Sequence, residues 1–393
     1  MKRNAFLISL LSVFILIGYG CKEEKQLYYP GNDGSIPEKI SDVKVTGTAG
    51  GAIITYKLPK DQSLSYVKAV YELQPGVFHE ARSSFYKDTL VLVGFGDTLN
   101  YKVDLYSVGR NEKMSEPITI QVKPMSPPIK TVFETLTLDA SFGGVNVSYK
   151  NESQADLALF ILIDSTGTEW IQLSDYYTAS LEGKFSVRGL KPETAKFGLY
   201  IRDRWNNKSD TLVKELSPLY EEAIVHTTFK LVSLPSDKNN GQPRYGVENL
   251  FNGRVNEAED WYKSEDDTYP QWFTMEMDKS VIFSRMKIFQ AVQYPYVPDW
   301  VKKFEIWGSN ELVDNWDNWM LLGSFESIKP SGLPDPSYTA ADMEYVRAGE
   351  EFEFPEGIPA VRYMRFKVII NYGGGGKFYV LNELSFWGQI VEQ

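Results

Sequence analysis

The stretch QYPYVPDW, Gln293 to Trp300, sets three aromatic rings close together: Tyr294, Tyr296 and Trp300. Pro295 and Pro298 restrict the backbone on either side of Tyr296. A flat aromatic surface held this way loses little entropy when a ligand settles on it. The chemistry on offer is apolar stacking, with polar neighbours to fix orientation. The alternative is a structural loop whose rings pack beneath the domain that carries them. Tyr262, Tyr269, Trp316 in VDNWDNW, and Tyr372 ahead of Gly373 to Gly376 are further candidates. The glycine run permits positive φ. It either lets a ligand reach the backbone or forms a bare hairpin tip. The acidic run EAEDWYKSEDD, Glu257 to Asp267, reads as a solvated face.

The elements that must hold these rings are strands. Runs that alternate with period two are Phe273, Met275, Met277; Phe304, Ile306; and Met364, Phe366, Val368. Each predicts a strand with one buried face. Trp272, Trp307 and Trp387 sit inside strand motifs and are expected in the core. Strands separated by long aromatic loops fit a jelly-roll sandwich. Upstream, GGAIITYK (Gly50 to Lys57) returns as GGVNVSYK (Gly143 to Lys150). The alternation of Tyr101, Val103, Leu105 returns as Phe197, Leu199, Ile201. A repeat of this length, made of short strands, suits two β-sandwiches in tandem. KPMSPPIK, residues 123 to 130, reads as a proline-rich linker between them. LKPET, Leu190 to Thr194, resembles a turn of fibronectin type III domains, as does the repeat as a whole. Trp170, Tyr176, Tyr177 and Trp205 are aromatics that either touch a ligand or cover the core. Both modules are read as spacers.

Composition narrows the function. The 393 residues carry 52 acidic and 41 basic side chains, a net charge of −11, so no basic footprint for nucleic acid is expected. The two histidines, His79 and His226, argue against a His-rich metal site, and a lone cysteine excludes an internal disulfide. That cysteine, Cys21, follows Lys2, Arg3 and the apolar run AFLISLLSVFILIGY. The run is shorter than a bilayer-spanning helix and reads as a signal peptide. Gly18-Tyr19-Gly20-Cys21 resembles the lipobox of bacterial lipoproteins, with Gly18 where the family usually has Leu. Lys22-Glu23-Glu24 resembles the export signal of Bacteroidota surface lipoproteins. The resemblance implies lipidation of Cys21 and an outer-membrane anchor facing the cell exterior.

The C-terminal motifs follow in a telling order: ENLFNGR (248–254), WYKSEDDTYPQWFTMEMDK (261–279), SRMKIFQ (284–290), KKFEIWGSNE (302–311), WMLLGSFE (319–326), VRYMRFKV (361–368) and LNELSFWG (381–388). Together they resemble a coagulation factor 5/8 type C (discoidin-like) domain of Bacteroidota surface lipoproteins. The organisation expected is therefore all-β. It has a signal peptide (1–20), a lipidated tether (21–37), two fibronectin type III-like sandwiches (38–125 and 126–218) and a discoidin-like jelly roll (225–393). The resemblance implies non-catalytic binding of a polysaccharide or oligosaccharide, in a polysaccharide-utilisation system beside an outer-membrane importer. The alternative it leaves is a structural or adhesion lipoprotein that docks a protein such as that importer. Glycoside hydrolysis needs two carboxylates flanking a sugar cleft, and no catalytic-domain fold is evident to hold them. Discoidin-type sugar modules also hold a structural calcium near an LFDG loop, completed by a Glu before the last strand. Here the loop is LFNG, with Asn252 in place of Asp, and Glu383 matches the Glu. Asn256, Glu257 and Glu259 follow nearby. Losing one carboxylate weakens such a site.

Overall fold

The structure is a computed structural model and describes residues 35–391, apart from 165, 166, 168, 226, 227, 239–242, 256–259, 335 and 336. The signal peptide and Cys21 lie outside the described residues. In the strand Gly51–Lys57, Ala52, Ile54 and Tyr56 point inward while Thr55 and Lys57 face solvent. Its repeat, Gly144–Lys150, buries Val145, Val147 and Tyr149 in the same way. Each strand is the centre of a three-stranded layer: Ser41–Thr48, Gly51–Lys57, Thr89–Val93 in the first copy, and Thr137–Ser141, Gly144–Lys150, Glu182–Arg188 in the second. A four-stranded layer covers each, with Tyr101–Gly109 and Ala195–Asp203 in the same sixth place along the chain. This is the fibronectin type III arrangement, twice.

The segment between them is more than a linker. Pro128 starts a short helix, Pro128–Phe133, where its missing N–H costs nothing. That helix buries Ile129 and Val132 in the second core. Trp205 wedges against the first core, and Asn207 donates to the Gly94 carbonyl at 2.8 Å. Gly94 has φ +98°, and a Cβ there would sit 2.8 Å from the Trp205 ring. Tyr176 stacks on Phe185 at 4.3 Å, whereas Trp170 and Tyr177 stay exposed.

The C-terminal domain is a jelly roll built on one long strand, Gln271–Phe289. Its first half pairs with Val361–Asn371, which continues to Val301–Ser309 and Met320–Glu326. Its second half pairs with Glu383–Val391 and Glu350–Glu353. Asp278, at φ +66°, lies where the pairing changes. Between the layers, Phe366 stacks on Phe273 (5.5 Å) and Phe304 (4.9 Å), all three at most 1% exposed.

A charged seam joins this domain to the second sandwich. Glu221 accepts from Ser284 Oγ at 2.6 Å and from Arg285 at 3.1 Å. Arg188 reaches Glu221 at 3.7 Å and Glu351 at 3.4 Å, and it donates to Glu353.

Phe366→Ala opens a cavity inside the ring stack and is expected to destabilise the C-terminal domain by about 3–5 kcal/mol. Urea unfolding followed by tryptophan fluorescence measures it, since seven of the nine tryptophans lie beyond residue 260. A loss below about 1 kcal/mol would show that the stack is not a close-packed core.

Candidate functional site

Period-two geometry builds the site. The short strand Tyr262–Lys263 pairs with Val380–Leu381. Tyr262 points inward, 1% exposed, against Phe273 (5.1 Å) and Tyr379 (5.9 Å). Its neighbours Trp261 and Lys263 therefore line a cleft. Across from them runs the loop 290–300. The Gln290 side-chain carbonyl accepts from the N–H of Tyr296 at 2.9 Å, and Tyr296 takes φ +55°. This tucks the Tyr296 ring under the loop. Trp300 donates its indole N–H to the Tyr294 carbonyl at 2.5 Å and forms the cleft floor.

The cleft holds about 350 Å³. Trp261 meets Tyr294 edge-on at 6.2 Å and Trp300 at 6.5 Å. Phe378 forms another wall, with Lys263 Nζ 3.8 Å from its ring centre. Tyr245 and Val297 complete the apolar lining. Asp299 lies at the rim, its carboxyl pushed up by burial against the pull of Lys263. Tyr269 anchors one wall by donating to the Phe378 carbonyl at 2.7 Å. Rings flanked by one ammonium and one carboxyl can stack on an apolar ligand face and fix its hydroxyls.

The expected ligand residues divide. Tyr294, 50% exposed, and Trp300, 2% exposed, meet in this cleft. Tyr262 and Tyr296 are corrections: each is 1% exposed and neither lines the cleft. Tyr372 sits behind the loop, edge-on to Tyr296 at 5.6 Å, with its hydroxyl 2.9 Å from Ser327 Oγ. Trp316 lies elsewhere, edge-on to Trp272 (5.0 Å) and Trp307 (5.1 Å) under Arg365 and Lys367. Trp272, Trp307 and Trp387, expected in the core, are half-exposed on outer faces instead. Trp261, Lys263, Asp299 and Phe378 were not among the expected residues. The alternation around Tyr262 was the signal for the first two.

Of the expected calcium ligands, Asn256 and Glu257 lie outside the described residues, as does Glu259. Glu383 and the Asn252 loop do come together: Glu383 Oε1 accepts from the N–H of Gly253 at 3.2 Å. Burial pushes the Glu383 carboxyl up to about 7, against the backbone N–H groups of Gly253 and Asn252, and Asp260 raises it further. Among the described residues no three His, Cys, Asp or Glu side chains converge as a metal group.

Fold and cleft together define the class: an all-β protein in which two fibronectin type III-like sandwiches carry a discoidin-like jelly roll with an aromatic cleft. The particular family follows from sequence. A solved SusE-like protein of Bacteroides, BT2857, is 32% identical over 67% of this chain and 100% of its own, with a TM-score of 0.44. This chain belongs to that SusE-like family. Residues 37–124, 125–227 and 251–388 match the family models DUF4959, DUF5126 and DUF5000, each a domain of unknown function. A family 32 carbohydrate-binding module of Clostridium perfringens NanJ, solved with galactose, is 15% identical over 42% of this chain and 98% of its own, at a TM-score of 0.30. A two-domain fibronectin type III segment of chicken tenascin is 14% identical over 46% of this chain and 99% of its own, at 0.23. No match is found among curated proteins.

Behind the cleft loop, Glu350 is 8% exposed and accepts from the N–H of Ile328 at 2.8 Å and from Ser327 Oγ. Burial pushes its carboxyl up to about 7. Between the unfolded value near 4.5 and 7, the native state therefore holds a proton that the unfolded chain has lost. Its contribution makes stability fall as pH rises through that window. Glu350→Gln is expected to flatten the slope and to gain on the order of 2 kcal/mol over the native chain at pH 8, with little difference at pH 5. Urea midpoints at pH 5, 6, 7 and 8 test this. Parallel curves for the two proteins would show that Glu350 titrates normally.

Proposed function

We propose that this protein is a non-catalytic, lipid-anchored lipoprotein of the outer-membrane surface. In this reading its C-terminal cleft binds extracellular glycan for a polysaccharide-utilisation system. The observation that carries the reading is the pair of ring faces at Trp261 and Tyr294 above the Trp300 floor, with Lys263 and Asp299 at the rim. Sugars present C–H faces to such rings and hydroxyls to such polar groups. Two features make Trp261 and Tyr294 the functional rings. They line the cleft, and among the described residues no cation covers them. The anchor rests on Cys21 after its apolar run, and the exterior placement on Lys22-Glu23-Glu24. A single cleft of this size suits modest affinity, with Kd between roughly 1 mM and 1 μM. Many copies on one cell raise the avidity.

Calcium belongs to the same reading. A buried carboxyl raised to about 7 beside the Asn252–Gly253 loop is a group that a divalent cation would hold ionised. Glu383 and Asn252 would hold the ion, and its role is to fix the loop.

The test is affinity electrophoresis of the chain from residue 25 onward through a panel of polysaccharides, with and without EDTA. Retardation by one polymer class is expected. Trp261→Ala and Tyr294→Ala should each weaken it at least tenfold with unchanged circular dichroism, and EDTA should weaken it if the ion orders the loop. Retardation that survives both substitutions would remove the cleft from the binding site. No retardation by any polymer would favour docking of a protein partner, such as the importer.

Cys21→Ala is expected to release the protein from the membrane fraction. Its retention there would end the lipid-anchor reading.

A further inference from the structure

The middle sandwich carries a second concave surface, on the face opposite its core. The strand Leu157–Asp164 sends Leu157, Leu159 and Ile161 into that core. Ala158 and Phe160 therefore face outward. Ala158 lies directly opposite Tyr177 on one neighbouring strand and Arg202 on the other. Paired strands lie about 4.8 Å apart, so Tyr177 and Arg202 stand roughly 10 Å apart. Only a methyl group fills the floor between them. The result is a trough of about 450 Å³ over Ala158, itself 5% exposed. Asp156 and Arg204 close one end, where it meets a cleft of about 200 Å³ beside Trp205 between the two sandwiches.

The trough's lining carries two carboxylates, Asp156 and Asp203, and two guanidinium groups, Arg202 and Arg204, that are poorly paired with them. Arg202 lies 4.6 Å over the Phe160 ring, which stacks on Tyr200 at 4.9 Å. Among the described residues no carboxylate or carbonyl accepts from its guanidinium. Arg204 lies 4.3 Å over the Trp205 ring and meets Asp156 only at 3.8 Å, both side chains being more than 60% exposed. Asp203 accepts instead from Asn207 and the Trp205 N–H, and among the described residues it makes no ion pair with either arginine. Tyr177 is 67% exposed, and among the described residues no cation covers its ring. A chain of net charge −11 thus gathers two loosely partnered guanidinium groups beside an open aromatic face.

We propose that this trough is a second saccharide site and that it takes an acidic sugar residue. The C–H face of the sugar lies on Tyr177. Its carboxylate meets the guanidinium of Arg202, whose fork suits that group. Arg204 and Asp156 reach the hydroxyls. A plain anion needs the arginines but has no use for the ring, and a neutral sugar leaves Arg202 unmatched. The site is separate from the C-terminal cleft and holds or fails independently of it. The middle sandwich is then a binding domain and not a spacer.

The experiment is affinity electrophoresis of the full chain in neutral detergent. The gels contain polygalacturonate, alginate, hyaluronan, neutral galactan or poly-glutamate. The proteins are the native chain, Tyr177→Ala, Arg202→Ala and Arg202→Gln. Arg202→Gln keeps part of the cover over Phe160, so a fold defect is told apart from a lost charge. At least one uronate polymer should retard the native chain. Each Tyr177 and Arg202 variant should weaken that retardation at least tenfold. Retardation by none of the three uronate polymers overturns the proposal. So does retardation that survives loss of Arg202. Poly-glutamate retardation that needs Arg202 but not Tyr177, with no uronate effect, would mark a contact for acidic protein and overturn it equally.

Discussion

The strand Gln271–Phe289 belongs to both layers of the C-terminal sandwich, so its side-chain alternation must satisfy two sheets in succession. Phe273, Met275 and Met277 fill the first half, then Val281 and Phe283 carry the same phase past the corner at Asp278. A bulge between Phe283 and Arg285 then slips the phase by one residue, and Met286 and Ile288 become the buried positions. A bulge bends its strand and re-aims side chains. Here it buries Ser284 and leaves Arg285 facing out, and both contact Glu221 on the chain arriving from the middle sandwich.

The seam between the domains follows from that slip. Arg285 reaches both oxygens of Glu221, at 3.2 and 3.3 Å from Nε and 3.1 Å from Nη2, while its guanidinium lies 3.9 Å from the Trp387 ring. Contact this specific constrains angle as well as distance. Glu221 has only 6% of its side chain exposed, Arg285 11% and Arg188 14%. Desolvating such groups offsets much of their attraction, so the seam adds little net stability. Its contribution is registry: any other docking angle leaves a buried charge without its partner.

The same alternation explains what the sequence made legible and what it hid. The inward residues of three C-terminal runs were readable, Phe273, Met275 and Met277, then Phe304 and Ile306, then Met364, Phe366 and Val368, because burial on one face imposes a two-residue period. The outward residues follow from the same period. Trp272 beside Phe273, Trp307 beside Ile306 and Trp387 beside Phe386 had to face out, even though tryptophan in a strand suggests core. Trp261 and Lys263 were implied once Tyr262 was inward. The loop 290–300 offered no such rule. Tyr294 and Tyr296 are chemically alike and two residues apart, yet Tyr294 is 50% exposed and Tyr296 1%. What separates them is a hydrogen bond from the Tyr296 N–H to the Gln290 side-chain carbonyl and a positive φ, and neither has a sequence period. The helix at Pro128–Phe133 was hidden for a related reason: two prolines mark a linker and a helix start equally well.

Cations decide which exposed rings remain usable. Arg365 and Lys367 cover Trp316, Lys367 also covers Trp307, Arg285 covers Trp387 and Lys302 covers Tyr372. A ring face already holding an ammonium or guanidinium gains from the cation what stacking on a ligand would supply. Displacing the cation forfeits that attraction before any ligand contact is made. Surface aromatics are therefore a poor guide to binding when they are merely counted, and a better one when covered faces are removed. Tyr86, Trp170, Tyr220 and Tyr338 pass that filter among the described residues; Trp261, Tyr294 and Tyr177 pass it too and line a concavity. Two of them share the cleft that the discoidin-like loops build. The third stands alone in the middle sandwich, opposite an arginine whose flat face is held on Phe160 while its guanidinium still lines the trough. In that setting the cation–ring contact leaves the aromatic of the trough open and pre-positions the charge across from it, so that ring and guanidinium can act on one ligand from opposite sides.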